Sequence, residues 1–396
     1  MSHIQVVEGS EAVALAVKAC QPQVISAYPI SPQTHIVEWL AKMIADGELE
    51  TEYIRVESEF SAASAISGAS ATASRSYTAS SSQGLLLMTE VLYASAGLRL
   101  PFVITGVNRA LSAPISIQVD HQDTISLRDS GVIQFYVESS QEVYDTHIAA
   151  FKIAEDHGIL LPVMVCMDGW ILTHSYEQVS FMEQEEVDSF LPPFQPVNFL
   201  DVNDPKTLGS YAEDDVLMEF KYAIHEAMQY AKGRIKEIFS ELAMVTGRDH
   251  GGLIEAYRTE GAEIILTAMG SMVGTVKVAV DEFRSEGKKV GLVKIRCYRP
   301  FPFEDIWNAI RGAKVVAVME ADFSMGSEGA VGMDLKAKLC GRPDAPLVID
   351  FITGLGGREV NKGTIAVIVQ KAEEVLNSGL PLPEPCWVDL NPAILQ

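Results

Sequence analysis

The sequence predicts an α/β protein made of two doubly wound, mostly parallel sheets with helices on both faces. Two alternations of strand-like apolar runs with helix-spaced segments predict it, one from Glu8 to Gly169 and one beginning at Glu263. Between them lie an acid- and proline-rich stretch, Trp170 to about Asp214, and one long amphipathic segment, Glu219 to Met244. A chain of 396 residues is long for one small core and fits two domains of ordinary size, 1–250 and 251–396.

In the first alternation, Gln23–Tyr28, Tyr53–Val56, Ser76–Ser80, Phe102–Val107, Ile133–Val137 and Val163–Met167 are apolar or β-branched runs of strand length. Gln33–Ala45, Gly84–Ala96 and Gln141–Asp156 carry helical periodicity between them. Phe60–Ala73 is a helix made almost wholly of Ala, Ser, Gly and Thr, a composition that lets another backbone approach closely. Trp170–Asp214, with Leu191-Pro-Pro-Phe194 and Asp201-Val-Asn-Asp-Pro205, is expected to be an irregular arm. Glu219–Met244 aligns Ala223, Ala227, Ala231, Ile235, Ile238 and Leu242 on one face, which predicts a helix bridging the two domains or a partner.

In the second alternation the strands are Ile264–Ala268, Val290–Ile295, Val315–Met319 and Leu347–Phe351. Helices are expected near Thr275–Ser285, Phe303–Ile310, Glu328–Leu339 and Lys362–Leu376, and the tail Pro381-Leu-Pro-Glu-Pro385 ends the domain. No internal repeat or low-complexity tract interrupts either half.

Composition excludes several classes of function. Thirty basic against 53 acidic residues give a net charge of -23, which repels nucleic acid and anionic lipid. An anionic ligand must therefore be held locally, by Arg or by helix N-termini. No run approaches the roughly 18 uncharged apolar residues that span a bilayer, and Met1-Ser-His-Ile-Gln-Val-Val-Glu8 lacks the order of a signal peptide, so a cytoplasmic location is expected. Cys20, Cys166, Cys297, Cys340 and Cys386 are scattered without a C-x-x-C pair, so neither an iron-sulfur cluster nor a zinc site is expected from this chain alone.

In an open parallel sheet, ligands gather where strands end and helices begin. The first strand ends in Ala27-Tyr-Pro-Ile-Ser-Pro-Gln33, whose two prolines set a turn that presents the Ser31 hydroxyl; Ser31 can equally serve as a helix N-cap before Pro32. Tyr53-Ile-Arg-Val-Glu-Ser-Glu59 brings two carboxylates to a strand-helix junction, where the helix dipole favours negative charge. Ser76-Tyr-Thr-Ala-Ser-Ser-Ser-Gln-Gly84 is a hydroxyl-rich loop that suits a polar ligand or simple capping. Arg109 leaves an apolar strand into a loop and is suited to grip a carboxylate with its planar fork of donors. His121, between Asp120 and Asp123, is expected to be a structural hydrogen-bonder. Met269-Gly-Ser-Met-Val-Gly274 and Gly354-Leu-Gly-Gly357 do not fit G-x-G-x-x-G, so both are expected to be tight turns rather than a dinucleotide site.

Six stretches taken together carry a family resemblance: Ala27-Tyr-Pro-Ile-Ser-Pro-Gln-Thr34, Val56-Glu-Ser-Glu59, Thr78-Ala-Ser-Ser-Ser-Gln-Gly84, Val107-Asn-Arg-Ala-Leu-Ser-Ala-Pro114, Asp120-His-Gln-Asp123 and Lys294-Ile-Arg-Cys-Tyr-Arg-Pro-Phe301. In this order the chain closely resembles the alpha subunit of the pyruvate:ferredoxin oxidoreductase family, over most of its length. The resemblance implies a pyrimidine-type thiamine diphosphate domain followed by a transketolase C-terminal-like α/β domain. It implies oxidative decarboxylation of pyruvate with coenzyme A to acetyl-CoA and CO2, electrons passing through iron-sulfur clusters to ferredoxin. It also implies partners: a beta subunit that holds the magnesium and diphosphate, gamma- and delta-type subunits, and ferredoxin. In agreement, this chain has no Gly-Asp-Gly followed by a downstream Asn.

Carried over residue by residue, the resemblance makes Glu59 the carboxylate that hydrogen-bonds the aminopyrimidine ring. Arg109 becomes the substrate-carboxylate arginine, Ile117 an apolar residue of the cofactor pocket, and Gln83 a cofactor contact. Ser31 stands where pyruvate enzymes of the family carry threonine, keeping the hydroxyl and losing a methyl. That departure leaves room for a sister 2-oxoacid such as 2-oxoisovalerate, 2-oxoglutarate or oxalate.

Overall fold

The computed structural model describes residues 3–380, 382–383 and 385–395. In chain order the strands are β1 (His3–Glu8), β2 (Val24–Ala27), β3 (Glu52–Arg55), β4 (Ser76–Ser81), β5 (Val103–Asn108), β6 (Ile133–Tyr136), β7 (Val163–Asp168), β8 (Tyr176–Phe181), β9 (Ile254–Tyr257), β10 (Ile264–Ala268), β11 (Val290–Ile295), β12 (Cys297–Arg299), β13 (Val315–Glu320), β14 (Leu347–Ile352) and β15 (Cys386–Trp387). They form a seven-stranded sheet of order β12-β6-β7-β5-β4-β2-β3, a six-stranded sheet of order β15-β14-β13-β10-β11-β9, and the pair β1-β8. Every neighbour in the large sheet is parallel except β12 on β6, and every neighbour in the smaller one except β9 on β11. The central strands β4 to β7 are buried along their whole length, as expected of parallel strands covered on both faces.

The expected α/β architecture is present, with local departures that have physical causes. The arm is not wholly irregular. Tyr176–Phe181 pairs antiparallel with β1 and buries Val179 and Phe181, a period-two pattern masked by the surrounding acids. Gln184–Phe190 is a short helix closed by a capping box between Glu183 and Glu186. Residues 192–216 carry no helix or strand. The segment expected as one helix from Gly84 is two, Ser82–Leu87 and Thr89–Gly97. Beyond the proline-rich tail, whose Pro381 and Glu384 lie outside the described residues, the chain returns as β15 beside β14.

The long helix runs from Leu217 to Thr246 and buries Ala227, Ala231, Ile235, Ile238, Phe239 and Leu242 in the core of the first sheet, while Ala223 stays exposed. It reaches the second unit through Lys236–Asp305 at 2.9 Å and through the Arg296 guanidinium, 4.3 Å above the Phe239 ring.

The two sheets interlock at Lys294-Ile-Arg-Cys-Tyr-Arg-Pro-Phe301. After β11 this segment crosses over and adds β12 to the edge of the first sheet. Lys294 and Arg296 are buried and both donate to the buried Glu142, at 2.7 and 2.5 Å. Burial alone would raise the Glu142 pKa, but the two cations hold it well below the usual carboxylate range. A second apolar core, with Ala62, Leu85 and Tyr136 from the first unit and Ile265, Val293 and Leu335 from the second, lies between the sheets.

Candidate functional site

Strands β5, β4, β2 and β3 are adjacent and parallel, so their C-terminal ends emerge at one sheet edge. Arg109 follows β5, Ser82 and Gln83 follow β4, Ser31 lies in the turn after β2, and Glu59 opens the helix after β3. The structure thus gathers four stretches separated by up to 78 residues in sequence.

Glu59 is the first residue of the helix Glu59–Ala71. Ser58 caps that helix in extended conformation, its side chain accepting from Ser61 N–H at 3.2 Å. Glu59 is 8% exposed, and among the described residues its carboxylate has no hydrogen-bond or ion-pair partner. Glu57 is exposed and accepts from the Ser61 hydroxyl, which holds its carboxyl below the ordinary range. The two acids at this junction therefore differ in kind. Burying a carboxylate without a partner is costly, and a donor placed beside Glu59 would offset that cost.

Gly84 makes the room. A Cβ there would lie 2.5 Å from Ser80 Oγ and 2.6 Å from Glu59 Oε1. The hydroxyls of Ser80 and Ser81 are buried and have no partner among the described residues either. The small residues of Glu59–Ala71 admit the neighbouring helix at contact distance, with Ser67 Oγ and Ser95 Oγ 2.9 Å apart. Gln83 is half-buried and joins a chain of hydroxyls, accepting from Ser82 Oγ and donating to Ser112 Oγ.

Arg109 is 7% exposed. Its Nε donates to Ser116 O at 3.1 Å and its Nη1 to Ser31 O at 2.8 Å, and among the described residues it forms no ion pair. A buried guanidinium without a counter-ion has donors with which it can take up an anion. Ser31 is exposed and does not cap the following helix, which begins at Thr34 with Gln33 as N-cap. Ile117 is 43% exposed, on the loop that returns through an Ala110 N–H to Gln118 O bond of 2.9 Å.

Asp123, named in the sequence only as a neighbour of His121, is the hub beneath this edge. Its Oδ2 accepts from the N–H groups of Ser82 (2.9 Å) and Arg109 (3.0 Å), and its Oδ1 from Asn108 Nδ2 (3.0 Å) and Thr124 N–H (2.7 Å). It therefore pins the exits of β4 and β5 together. Burial pushes its pKa up to about 6 despite those four donors. Asp120 is pushed up to about 7 by burial and then by the charge of Asp123.

His121 is structural, as expected. Its Nε2 lies 2.8 Å from Asp168 Oδ1, and Asp168 Oδ2 accepts from Ser271 N–H at 2.8 Å, so the pair ties the first sheet to the second unit. Burial lowers the proton affinity of His121, but the charges of Asp168, Asp322 and Asp123 and the bond to Asp168 outweigh it. Asp168 carried one signal in sequence, an acid ending an apolar strand. The glycine turns of the second unit dock here as well. Gly270 has φ +71°, and a Cβ on it would meet Asp168 and His121 at 2.9 Å. Gly357 N–H donates to Val119 O at 2.7 Å, bracing the loop that carries Ile117.

An unpartnered carboxylate and an unpaired guanidinium on one sheet edge suit a ligand pair, one offering an N–H or ring nitrogen and the other a carboxylate. Residues 15–240 match the family model described as pyruvate flavodoxin/ferredoxin oxidoreductase, thiamine diP-bdg, and residues 262–365 match pyruvate:ferredoxin oxidoreductase core domain II. The chain belongs to the pyruvate:ferredoxin oxidoreductase family. It is 49% identical over 392 residues to pyruvate synthase subunit PorA of Methanosarcina barkeri, covering 98% of this chain and 97% of that one. PorA of Pyrococcus abyssi is 47% identical over 98% of this chain and 99% of its own. Ketoisovalerate oxidoreductase subunit VorA of Pyrococcus horikoshii is more distant, 43% identical over 98% of both chains. A solved 2-oxoglutarate:ferredoxin oxidoreductase from Magnetococcus marinus, with 2-oxoglutarate, coenzyme A and succinyl-CoA bound, shares the fold with a TM-score of 0.69 at 21% identity, over 93% of this chain and 65% of that one. Among the described residues no helix is long and apolar enough to cross a membrane.

Proposed function

We propose that the chain is the alpha subunit of a multi-subunit pyruvate synthase. The assembled enzyme converts pyruvate and coenzyme A to acetyl-CoA and CO2, reversibly, and passes two electrons to ferredoxin. The observation that carries this reading is the near-full-length identity to PorA subunits, on a fold that leaves Glu59 and Arg109 unpaired at one sheet edge.

The residues present fit a thiamine diphosphate ring. Among the described residues Glu59 is a buried acceptor lacking a partner, Gly84 clears the space beside it, and the Ser80 hydroxyl at the same glycine is unpaired. When bound, this cofactor supplies the nucleophilic carbon and the electron sink. Glu59 would hold a proton at the aminopyrimidine ring, Gln83 would contribute a polar contact, and Ile117 would cover an apolar face. Arg109 would bind and orient the substrate carboxylate, and the Ser31 hydroxyl would donate to the substrate.

The magnesium and diphosphate belong to a beta subunit in this reading, and the iron-sulfur clusters to gamma- and delta-type partners. The sequence of this chain suits that division: its five cysteines are scattered with no C-x-x-C spacing. Residues 1–250 form the pyrimidine-type unit and 251–396 the transketolase C-terminal-like unit, joined by the β12 crossover, in a cytoplasmic enzyme.

A second reading, a 2-oxoisovalerate enzyme, is favoured by the smaller Ser31 and the VorA relative. Purification of the complex from its source and assay of ferredoxin reduction with pyruvate, 2-oxoisovalerate and 2-oxoglutarate decides between them. Pyruvate is expected to give the highest kcat/KM; a higher value with 2-oxoisovalerate replaces the first reading with the second.

A further inference from the structure

Away from the carboxylate and guanidinium just described, the fold gathers Glu8, His35 and His174 from three elements: the end of β1, the first turn of the helix Thr34–Ala45, and the loop after β7. Each offers one metal-ligating atom, and these atoms all lie within 4.8 Å of one another. His35 Nδ1 is 2.8 Å from Glu8 Oε1, and the two imidazole centroids are 4.6 Å apart. Glu8 is 7% exposed, while both histidines are half-buried. Glu8 and His35 open on a depression of about 290 Å³ that Glu38, Trp39 and Lys42 also line. Trp170 stacks on His174 with centroids 4.2 Å apart, and Thr173 Oγ1 engages His174 Nδ1 at 2.7 Å. The ring is thereby oriented, and Nε2 is left without a partner among the described residues.

We propose that Glu8, His35 and His174 bind one divalent transition ion of the zinc class. Two imidazoles and one carboxylate form a zinc donor set, with a fourth position open to water, whereas calcium and magnesium require mostly oxygen ligands. With metal-ligand bonds of about 2.0–2.2 Å, tetrahedral neighbours stand roughly 3.3 Å apart. The Glu8–His35 contact therefore needs to open by only about half an ångström. Thr173 supplies the outer hydrogen bond that metal-bound imidazoles commonly make. The ion would join the helix that follows the Ser31–Pro32 turn to the exit of β7, where Gly169 already packs against Pro32. It would brace the turn that carries Ser31 without touching substrate.

The test is a Co2+ titration of the full-length, tag-free chain followed by Zn2+ competition. Tetrahedral cobalt absorption at one equivalent per chain is expected, with affinity lowered at least about tenfold in His35→Ala and in His174→Ala. X-ray absorption of the zinc-loaded unsubstituted chain provides a readout that does not depend on the variants folding, and should show nitrogen and oxygen ligands with imidazole scattering. Equal affinity in the variants, or sulfur ligation drawn from the exposed Cys340, overturns the proposal, as does an absence of binding up to 100-fold excess metal.

Discussion

Arg109 Nη1 donates to the carbonyl oxygen of Ser31 at 2.8 Å, so the guanidinium at the end of β5 steadies the turn that leaves β2. Its own backbone is held separately, by Asp123. The loop thus has an anchor other than the side chain, and the side chain is available for an anion. Arg109→Ala in the assembled enzyme should raise KM for pyruvate at least roughly tenfold, since truncating one partner of a desolvated charge pair costs about 2–5 kcal/mol. Arg109→Lys should recover only part, because a point charge does not match a planar carboxylate as the fork does. Steady-state kinetics with a parallel thiamine diphosphate titration checks this. Cofactor affinity should hardly move, and an unchanged pyruvate dependence would remove Arg109 from the substrate site.

Glu57 and Glu59 offer a matched pair two residues apart. Glu59→Gln keeps shape but not proton sharing, so turnover should fall about a hundredfold or more while thiamine diphosphate still binds. Glu57→Gln should be mild, because that carboxylate is exposed and bonded to Ser61. Turnover and cofactor titration of both variants in the complex are the measurement, and swapped phenotypes would contradict the assignment.

Ser31→Thr restores one methyl at a residue whose side chain does not cap a helix. Pyruvate turnover should stay nearly intact and turnover of 2-oxoisovalerate should drop, since one methylene-sized change shifts discrimination by roughly 1–3 kcal/mol. The ratio of kcat/KM for the two substrates tests this directly. A ratio that does not change excludes Ser31 from the substrate pocket.

His147 predicts an acid limb in stability. It is fully buried, with Nε2 2.6 Å from Thr105 Oγ1 and Nδ1 2.7 Å from Val143 O, and burial lowers its pKa to about 4. A depressed folded-state pKa means that its contribution is present above the unfolded value near 6.5 and is lost as pH falls toward about 4. The loss amounts to about 3 kcal/mol at most, at 1.36 kcal/mol per pKa unit. Asp120, Asp123 and Asp322 are shifted upward and act in the opposite sense over this window, so the comparison must be with a variant. Denaturation of the chain and of His147→Gln at pH 7, 6 and 5 should give a shallower acid slope in the variant. Parallel slopes would show that His147 is not the group responsible.

Much of the candidate site was legible because parallel sheets put chemistry at strand ends. Ser31, Glu59, Gln83 and Arg109 each follow an apolar run, and those runs prove to be adjacent parallel strands. The Ala- and Ser-rich helix after Glu59 indicated close approach, and Ser67 and Ser95 make that contact. Less was legible in the segment Lys294–Phe301. It carried part of the family resemblance but nothing that told what its basic residues do; Lys294 and Arg296 neutralise Glu142 across the junction of the two units. Asp123 was equally silent, because three of its four donors come from two strand exits distant in sequence and leave no periodic mark.

By itself the sequence determined what short-range physics writes into local order. Apolar runs of strand length, helical periodicity, proline-bounded turns and a strongly negative composition led to the α/β class and to the residues at the strand exits. Only the tertiary structure decided which of those residues keep a free functional group. Among the described residues the Glu59 carboxylate has no partner and Arg109, though bonded to two backbone carbonyls, has no counter-ion, while Glu57, Asp123 and His121 are occupied by hydrogen bonds. It alone brought together Glu8, His35 and His174, which lie on three separate elements. The reason is that partnership and burial depend on the distance between chain segments far apart in sequence, set by the strand order β5-β4-β2-β3 and by the crossover of β12, and neither leaves a local pattern.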